Sequence, residues 1–169
     1  MDVKFYTVTD AYIDYLHSFD KRVQKHKDDG YPKPYVGIIM SMGGFNYFVP
    51  LSSPKSKHAT MKENITFIKI LDGQDLKAVI NVNNMVPVPD SEYELLKFED
   101  YKQEHQDLLN KEYNEVKRIA TKIIRNATNL YRMVTVQPDE NSGYVKLCCD
   151  FKMLEQKSQE YKQPQKQAN

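Results

Sequence analysis

Apolar and polar residues alternate from Val3 to Val8, in a stretch rich in aromatic and β-branched side chains, so the chain opens on a predicted strand. Thr9 is placed to cap a short helix that brings Tyr12, Ile13, Leu16 and Phe19 near one face. From Asp20 to Pro34 the periodicity disappears, and Gly30, Pro32 and Pro34 predict a long surface loop, a kind of segment that is often functional in compact domains. The clearest hairpin follows, Tyr35 to Met42 and Phe45 to Leu51, turned by Gly43-Gly44, where the missing Cβ permits positive φ. Pro50 marks the second strand's end or its exposed edge. A second pair, Ile65 to Leu71 and Leu76 to Val82, turns at Asp72-Gly73, and the prolines in Val86 to Pro89 force an extended connection.

The strongest helical signal begins at Leu109. Leu109, Tyr113, Val116, Ala120, Ile123, Ala127, Leu130 and Val134 recur at alternating spacings of four and three, which predicts one long amphipathic helix packed on the sheet. Asn141 to Gly143 is a predicted turn into a last strand, Tyr144 to Cys149, and Asp150 is placed to cap a final helix reaching about Tyr161. The order of elements predicts an α+β fold: one domain over residues 1–162 with a small, strongly bent antiparallel sheet and packed helices, followed by a frayed polar tail at 163–169.

Charge changes the picture only when its distribution is followed. The formal net charge is +1, yet Tyr31 to Lys62 holds Lys33, Lys55, Lys57 and Lys62 and no acid. Val116 to Pro138 holds Lys117, Arg118, Lys122, Arg125 and Arg132, again without an acid, whereas Asp90 to Glu115 sets nine acids against three lysines. A polyanion can therefore be held locally by a nearly neutral chain. Lys111, Arg118, Lys122, Arg125 and Arg132 also fall on the far side of the long helix, as a solvated polar face or as an RNA-facing ridge.

Several chemistries are excluded by their absence from the sequence. There is no GxxxxGK[ST] loop, GxGxxG, HExxH or GxSxG, and His17, His26, His58 and His105 lack metal-ligand spacing, so neither a metal nor another cofactor is expected. Cys148 and Cys149 are sequence neighbours, too close for an ordinary mutual disulfide, and are predicted to be reduced strand residues facing opposite sides. Acids in the first fourteen residues argue against a signal peptide, and no apolar run suits a transmembrane helix, which points to the cytoplasm and to no membrane partner.

What remains is Ser52-Ser53-Pro54-Lys55-Ser56-Lys57-His58, directly after a strand. Serine hydroxyls donate to phosphate oxygens, proline stiffens the loop, and lysines neutralise phosphoryl charge. Lys33, between Pro32 and Pro34, supplies another stiffened cation. Tyr12, Tyr31, Tyr35 and Tyr47 offer aromatic faces in or beside this basic half, for stacked bases or, in the case of Tyr35 and Tyr47, for the core.

These residues carry a resemblance. KFYTVTDAYIDYL at 4–16, Pro34-Tyr35-Val36-Gly37-Ile38, Tyr47 through Lys55, Cys149-Asp150-Phe151 and Leu154-Glu155 resemble, in order, the toxins of type III toxin-antitoxin systems, the ToxN/AbiQ family of phage-abortive endoribonucleases. The resemblance implies a compact Kid/MazF-like, SH3-like partly open barrel decorated with helices. It implies metal-independent cleavage of single-stranded RNA and inhibition by a repeated pseudoknot RNA in a closed protein-RNA assembly. The family's signature loop falls on Ser52, Ser53, Pro54 and Lys55, its upstream tyrosine and lysine on Tyr31 and Lys33, and its N-terminal tyrosine on Tyr12. Where some relatives carry an aromatic residue after the signature lysine, this chain has Lys57.

In the mechanism this implies, the RNA 2′-hydroxyl attacks the adjacent phosphate and leaves a 2′,3′-cyclic phosphate and a 5′-hydroxyl. Catalytic roles fall to Ser53, Lys55 and Lys33, and RNA-binding roles to Tyr12, Tyr31, Ser52, Lys57, His58, Lys122 and Arg125. His58 titrates near neutrality when unperturbed and stands as an acid, a base or a surface loop histidine. A non-catalytic RNA-binding module and a DNA-binding regulator using the basic helix are the competing classes.

Overall fold

The computed structural model describes residues 3–26 and 33–162. The predicted stacking residue Tyr31 and the predicted tail at 163–169 lie outside them. The described elements are β1 (Lys4–Val8), α1 (Asp10–Phe19), β2 (Tyr35–Met42), β3 (Phe45–Ser52), α2 (Ser56–Thr60), β4 (Phe67–Asp72), β5 (Asp75–Asn81), β6 (Val86–Pro87), β7 (Tyr93–Leu95), α3 (Gln103–Arg118), α4 (Ala120–Thr135), α5 (Gly143–Leu147) and α6 (Phe151–Glu160). Short 3-10 turns cover Val82–Asn84, Asp90–Glu92 and Phe98–Asp100.

The strands form an open antiparallel sheet in the order β4-β5-β3-β2-β1-β7, with β6 added on β3. β3 is its pivot. Along one edge β3 pairs with β2; along the other it pairs first with β6, Phe48 facing Val86, and then with β5, Ser52 facing Val79. β2 carries a bulge between Val36 and Met40, the device that bends a strand and shifts its register. The predicted α+β fold with a bent antiparallel sheet is thus the observed one. The Gly43-Gly44 turn sits where expected, both glycines at positive φ.

Helices cover the sheet from several sides: α3 packs on β4 and β5, α4 on β2, and α6 on β6 and α1. The predicted long helix is in fact two, α3 and α4, separated at Ile119, whose φ and ψ of −103° and 12° leave the helical region. Its apolar stripe survives the break, with Leu109, Val116, Ala120, Ile123, Ala127 and Leu130 all buried. The predicted last strand is a helix instead. Ser142 accepts a hydrogen bond from Tyr144 N at 3.2 Å and starts α5, and only Cys149 N, bonded to Asn83 O at 2.9 Å, makes a strand-like contact. Cys148 and Cys149 are free and both buried, so they do not face opposite sides of a sheet. Burial pushes both thiols up to about 12, which leaves them unreactive at neutral pH. Asp150 caps α6 as predicted, accepting from Met153 N at 3.1 Å.

Tyr35 and Tyr47 are core residues, 1% and 0% exposed. Tyr47 joins a buried polar cluster in which Glu155 accepts from Tyr47 Oη at 2.9 Å, Tyr131 Oη at 2.6 Å and Lys152 Nζ at 2.8 Å, tying β3, α4 and α6 together. Among the described residues, no helix is long and apolar enough to cross a membrane.

Two substitutions test this architecture. A Cβ on Gly37 would stand 2.1 Å from the Phe48 ring, which is fully buried and boxed in by Tyr6 and Tyr93. Gly37→Ala is expected to destabilise by about 2–3 kcal/mol in urea denaturation. Glu112 lies buried on α3 beside Leu109 and Val116, and burial alone raises its carboxyl from the usual 4.5 to about 8. A raised carboxyl pKa stabilises the fold below pH 4.5, and that contribution is lost as pH rises through about 8. Glu112→Gln should therefore gain on the order of 3 kcal/mol over the native chain at pH 8.5 and nothing at pH 4.5, measured by paired denaturation curves.

Candidate active site

The β2–β3 ladder builds the site. Because Tyr35 faces Pro50 and Val36 faces Val49, the residue two before β2, Lys33, arrives opposite Ser52 at the end of β3. Leu51 N bonds to Pro34 O at 2.9 Å and continues the ladder to this point. Lys33 Nζ then donates to Ser52 Oγ at 3.2 Å, and Ser52 Oγ donates to Gln24 Oε1 at 2.9 Å.

Beyond Ser52 the chain passes through exposed Ser53, Pro54 and exposed Lys55 into α2. The loop closes on itself: His58 N bonds to Lys55 O at 2.9 Å, and Lys55 N donates to His58 Nδ1, also at 2.9 Å. His58 is not the surface histidine that its loop sequence suggests; it is 6% exposed, with its ring against Phe67 at 5.3 Å between centroids. Burial first, and then the charges of Lys57, Lys55 and Lys69, hold its pKa below the ordinary imidazole value. At neutral pH the ring is uncharged, and with Nδ1 accepting from the backbone, the hydrogen-bond pattern assigns the proton to Nε2.

The loop's far side is clamped. Lys69 Nζ donates to Ala59 O at 3.0 Å, while Glu63 accepts from Lys69 N at 2.7 Å and from Lys122 Nζ at 2.8 Å. Burial raises the Glu63 carboxyl, but Lys122 and the Lys69 amide outweigh it and keep the group below the usual carboxylate range.

Together these segments line a groove of about 660 Å³. Lys33, Ser52, Ser53, Lys55, Lys57 and His58 all border it, with Lys21, Arg22 and Lys25 on the rim, and no Asp or Glu is among its described lining residues. Six residues that the sequence nominated thus meet in one place. The others do not. Tyr12 is fully buried in α1 and donates its hydroxyl to Pro87 O at 2.6 Å, so it presents no face for a base to stack on. Lys122 is paired with Glu63, and neither Lys122 nor Arg125 lines the groove.

The basic ridge is largely neutralised: Lys111 pairs with Asp72 at 2.8 Å and Arg118 with Glu115 at 2.6 Å. Among the described residues no three His, Cys, Asp or Glu side chains group as metal ligands would.

Two groove residues had no signal in the sequence, Gln24 in the aperiodic loop and Asn84 in the 3-10 turn after β5. Gln24 Nε2 donates to Asn84 Oδ1 at 3.0 Å, and Asn84 Nδ2 donates to Arg22 O at 2.8 Å.

Among the described residues the groove is free of acids and edged with lysines and serine hydroxyls, the surface expected of a polyanion-binding protein. Known proteins make the class specific. The family model for the toxin ToxN of type III toxin-antitoxin systems matches residues 4–159. The chain is 34% identical to the endoribonuclease ToxN of Bacillus thuringiensis subsp. kurstaki, covering 95% of this chain and 84% of that protein. It is 32% identical to the endoribonuclease AbiQ of Lactococcus lactis subsp. lactis, covering 95% and 90%. Among solved structures, one concerning selective toxin inhibition by a non-coding RNA pseudoknot superposes with a TM-score of 0.85 at 32% identity, over 97% of this chain and 100% of the other. The structure of AbiQ, a lactococcal anti-phage endoribonuclease of the type III system, superposes with a TM-score of 0.82 at 31% identity, over 95% and 98%. The chain belongs to the ToxN toxin family of type III toxin-antitoxin systems.

The environment of His58 makes a measurable statement about the site. Its lowered pKa leaves its contribution to stability complete above the ordinary value of about 6.5, and that contribution is lost as pH falls through the lower folded value. In an NMR titration the His58 ring should turn over below pH 6.5, with Nε2 protonated and Nδ1 bare at pH 7.5; a midpoint above 6.5 would contradict the burial described here.

Proposed function

We propose that this protein is an endoribonuclease toxin of a type III toxin-antitoxin, phage abortive-infection system, working in the cytoplasm on single-stranded RNA. The observation that supports the site assignment is the groove at the end of β3, free of acids among its described lining residues, which gathers Lys33, Ser52, Ser53, Lys55, Lys57 and His58. A repeated pseudoknot RNA antitoxin inhibits it by occupying the same groove, and closes a protein-RNA assembly by bridging protomers.

In this mechanism the 2′-oxygen of the RNA attacks the neighbouring phosphorus in line. The P–O5′ bond breaks, the 2′-hydroxyl proton leaves, and the departing 5′-oxygen takes up a proton. The products are a 2′,3′-cyclic phosphate and a 5′-hydroxyl. Ser53, whose exposed hydroxyl has no protein partner among the described residues, holds a non-bridging oxygen of the reacting phosphate. Lys55 and Lys33 stabilise the charge that grows on those oxygens, so catalysis rests on positioning and electrostatics. With its Nδ1 lone pair taken by Lys55 N, His58 offers a donor at Nε2 and no free base. As a neutral ring it can hydrogen-bond a phosphate oxygen through Nε2–H, and the protons of both steps are exchanged with water. Lys57, on the same rim, contacts the flanking backbone phosphate.

Purified protein incubated with single-stranded RNA in EDTA should cut it and leave cyclic-phosphate ends. A 2′-deoxynucleotide at the cleaved position should block the cut. Ser53→Ala and Lys55→Met should each slow single-turnover cleavage by roughly a hundredfold or more, in line with the loss of one transition-state donor. Intact RNA at high enzyme concentration would leave only the non-catalytic RNA-binding reading.

A further inference from the structure

One wall of the groove is a chain of hydrogen bonds whose direction is fixed from both ends. At one end, Arg22 O is a carbonyl and can only accept, so the Asn84 group 2.8 Å away is the amide nitrogen. That assignment turns Asn84 Oδ1 toward Gln24, which must present Nε2 at 3.0 Å. Gln24 Oε1 then faces Ser52, which spends its single proton on it at 2.9 Å. Only lone pairs of Ser52 Oγ are left for Lys33 Nζ at 3.2 Å, and an ammonium can only donate. Every link therefore runs the same way, and reversing any one of them would set donor against donor or acceptor against acceptor.

The foundation of this chain is firm. Arg22 is bound through Nε and its backbone N to Asp20, whose other oxygen accepts from Asp150 N at 2.8 Å. Asn84 closes a 3-10 turn whose neighbour Asn83 is bonded to Cys149 N and to Leu147 O. A lysine has a long, freely rotating stem, and a point charge on such a stem stabilises a transition state only where its position is set beforehand.

We propose that Gln24 and Asn84 are positioning residues for RNA cleavage, acting through Ser52 to hold the Lys33 ammonium at the reacting phosphate. This role rests on the placement of Lys33 at that phosphate under Proposed function.

The test uses full-length protein labelled with ¹⁵N-lysine, with two readouts. The first is the Lys33 ammonium signal, which only a held, slowly exchanging ammonium gives. It should be present in the native chain, absent in Gln24→Leu and Ser52→Ala, and retained in Ser52→Thr. The backbone amide signals of the other lysines should be unchanged in Gln24→Leu, which separates loss of the relay from loss of the fold.

The second readout is single-turnover cleavage of single-stranded RNA at saturating protein. Gln24→Leu should slow it about tenfold with little change in the concentration for half-saturation, and should have no further effect in a Lys33→Met background. An unchanged ammonium signal in Gln24→Leu, or the same slowing in the Lys33→Met background, would overturn the role. If Lys33→Met cleaves at the native rate, the placement of Lys33 at the phosphate fails, and with it the positioning role. The ammonium signals keep that failure distinct from failure of the relay itself.

Discussion

The site depends above all on the register of β2 against β3. Next to the turn Met40 faces Tyr47, yet farther on Val36 faces Val49, so β2 spends four residues where β3 spends two. Had the first register continued, Lys33 would have come opposite Pro54, a residue with no side-chain acceptor. The bulge brings it to Ser52 instead. Gly37 lies in this irregular stretch, where Phe48 occupies the space a side chain would need. A packing constraint inside the sheet thus decides whether the Lys33 ammonium meets a hydroxyl at its rim.

The remaining elements hold that arrangement from behind. A buried carboxylate is costly unless its oxygens are satisfied, and Glu155 has donors from Tyr47, Tyr131 and Lys152, so β3, α4 and α6 are joined by charge-assisted bonds in the core. The start of α6 extends the same fixation toward the groove. Asp150 N binds Asp20, Asp20 binds Arg22, and the Arg22 carbonyl receives Asn84. Burial opposes the charge on Asp20, but the Arg22 guanidinium and the two backbone amides outweigh it and hold its carboxyl below the usual range. The C-terminal helix therefore anchors both the sheet's pivot strand and the loop that faces it across the groove.

Much of this was legible in the sequence where the determinants are local. The hairpin, its glycine turn, the serine-lysine loop after β3 and the cap at Asp150 each depend on a few consecutive residues. Determinants supplied by distant segments were not legible. On the α3–α4 ridge, Lys111 and Lys122 are paired with Asp72 and Glu63 from other parts of the chain, which the sequence pattern does not show, while Arg118 takes the adjacent Glu115. The break at Ile119 was hidden because the apolar spacing runs through it unchanged, although the backbone does not. The last strand failed because alternation alone does not supply a partner edge, and β7, too short to show alternation, took an edge position beside β1. Tyr12 matched the family's position but not the expected exposure, since its ring belongs to the core between α1 and α6. Gln24 and Asn84 carry no periodicity or motif, and only the folded backbone shows that their amides meet.

The distribution of charge places different demands on the two kinds of group in the groove. The acids are concentrated elsewhere, and a second cleft beside β7 is lined by Asp10, Glu92, Glu94 and Asp100. A chain with a net charge of +1 thus presents one cleft free of acids among its described residues and one acid-rich cleft, a difference that steers a polyanion in a way the total cannot. Such a field attracts substrate RNA and inhibitory RNA alike, because phosphates carry the same charge in both and the Coulomb term reads no sequence. Exposed Lys55 and Lys57, with no carboxylate partner among the described residues, suit that unselective attraction. Discrimination between a strand that is cut and one that is only held must then come from short-range geometry, and the groups with fixed direction here are Lys33, Ser52, Gln24 and Asn84. Under the proposed mechanism, the hydrogen-bonded wall of the groove, rather than its charge, distinguishes a reactive phosphate from a resting one.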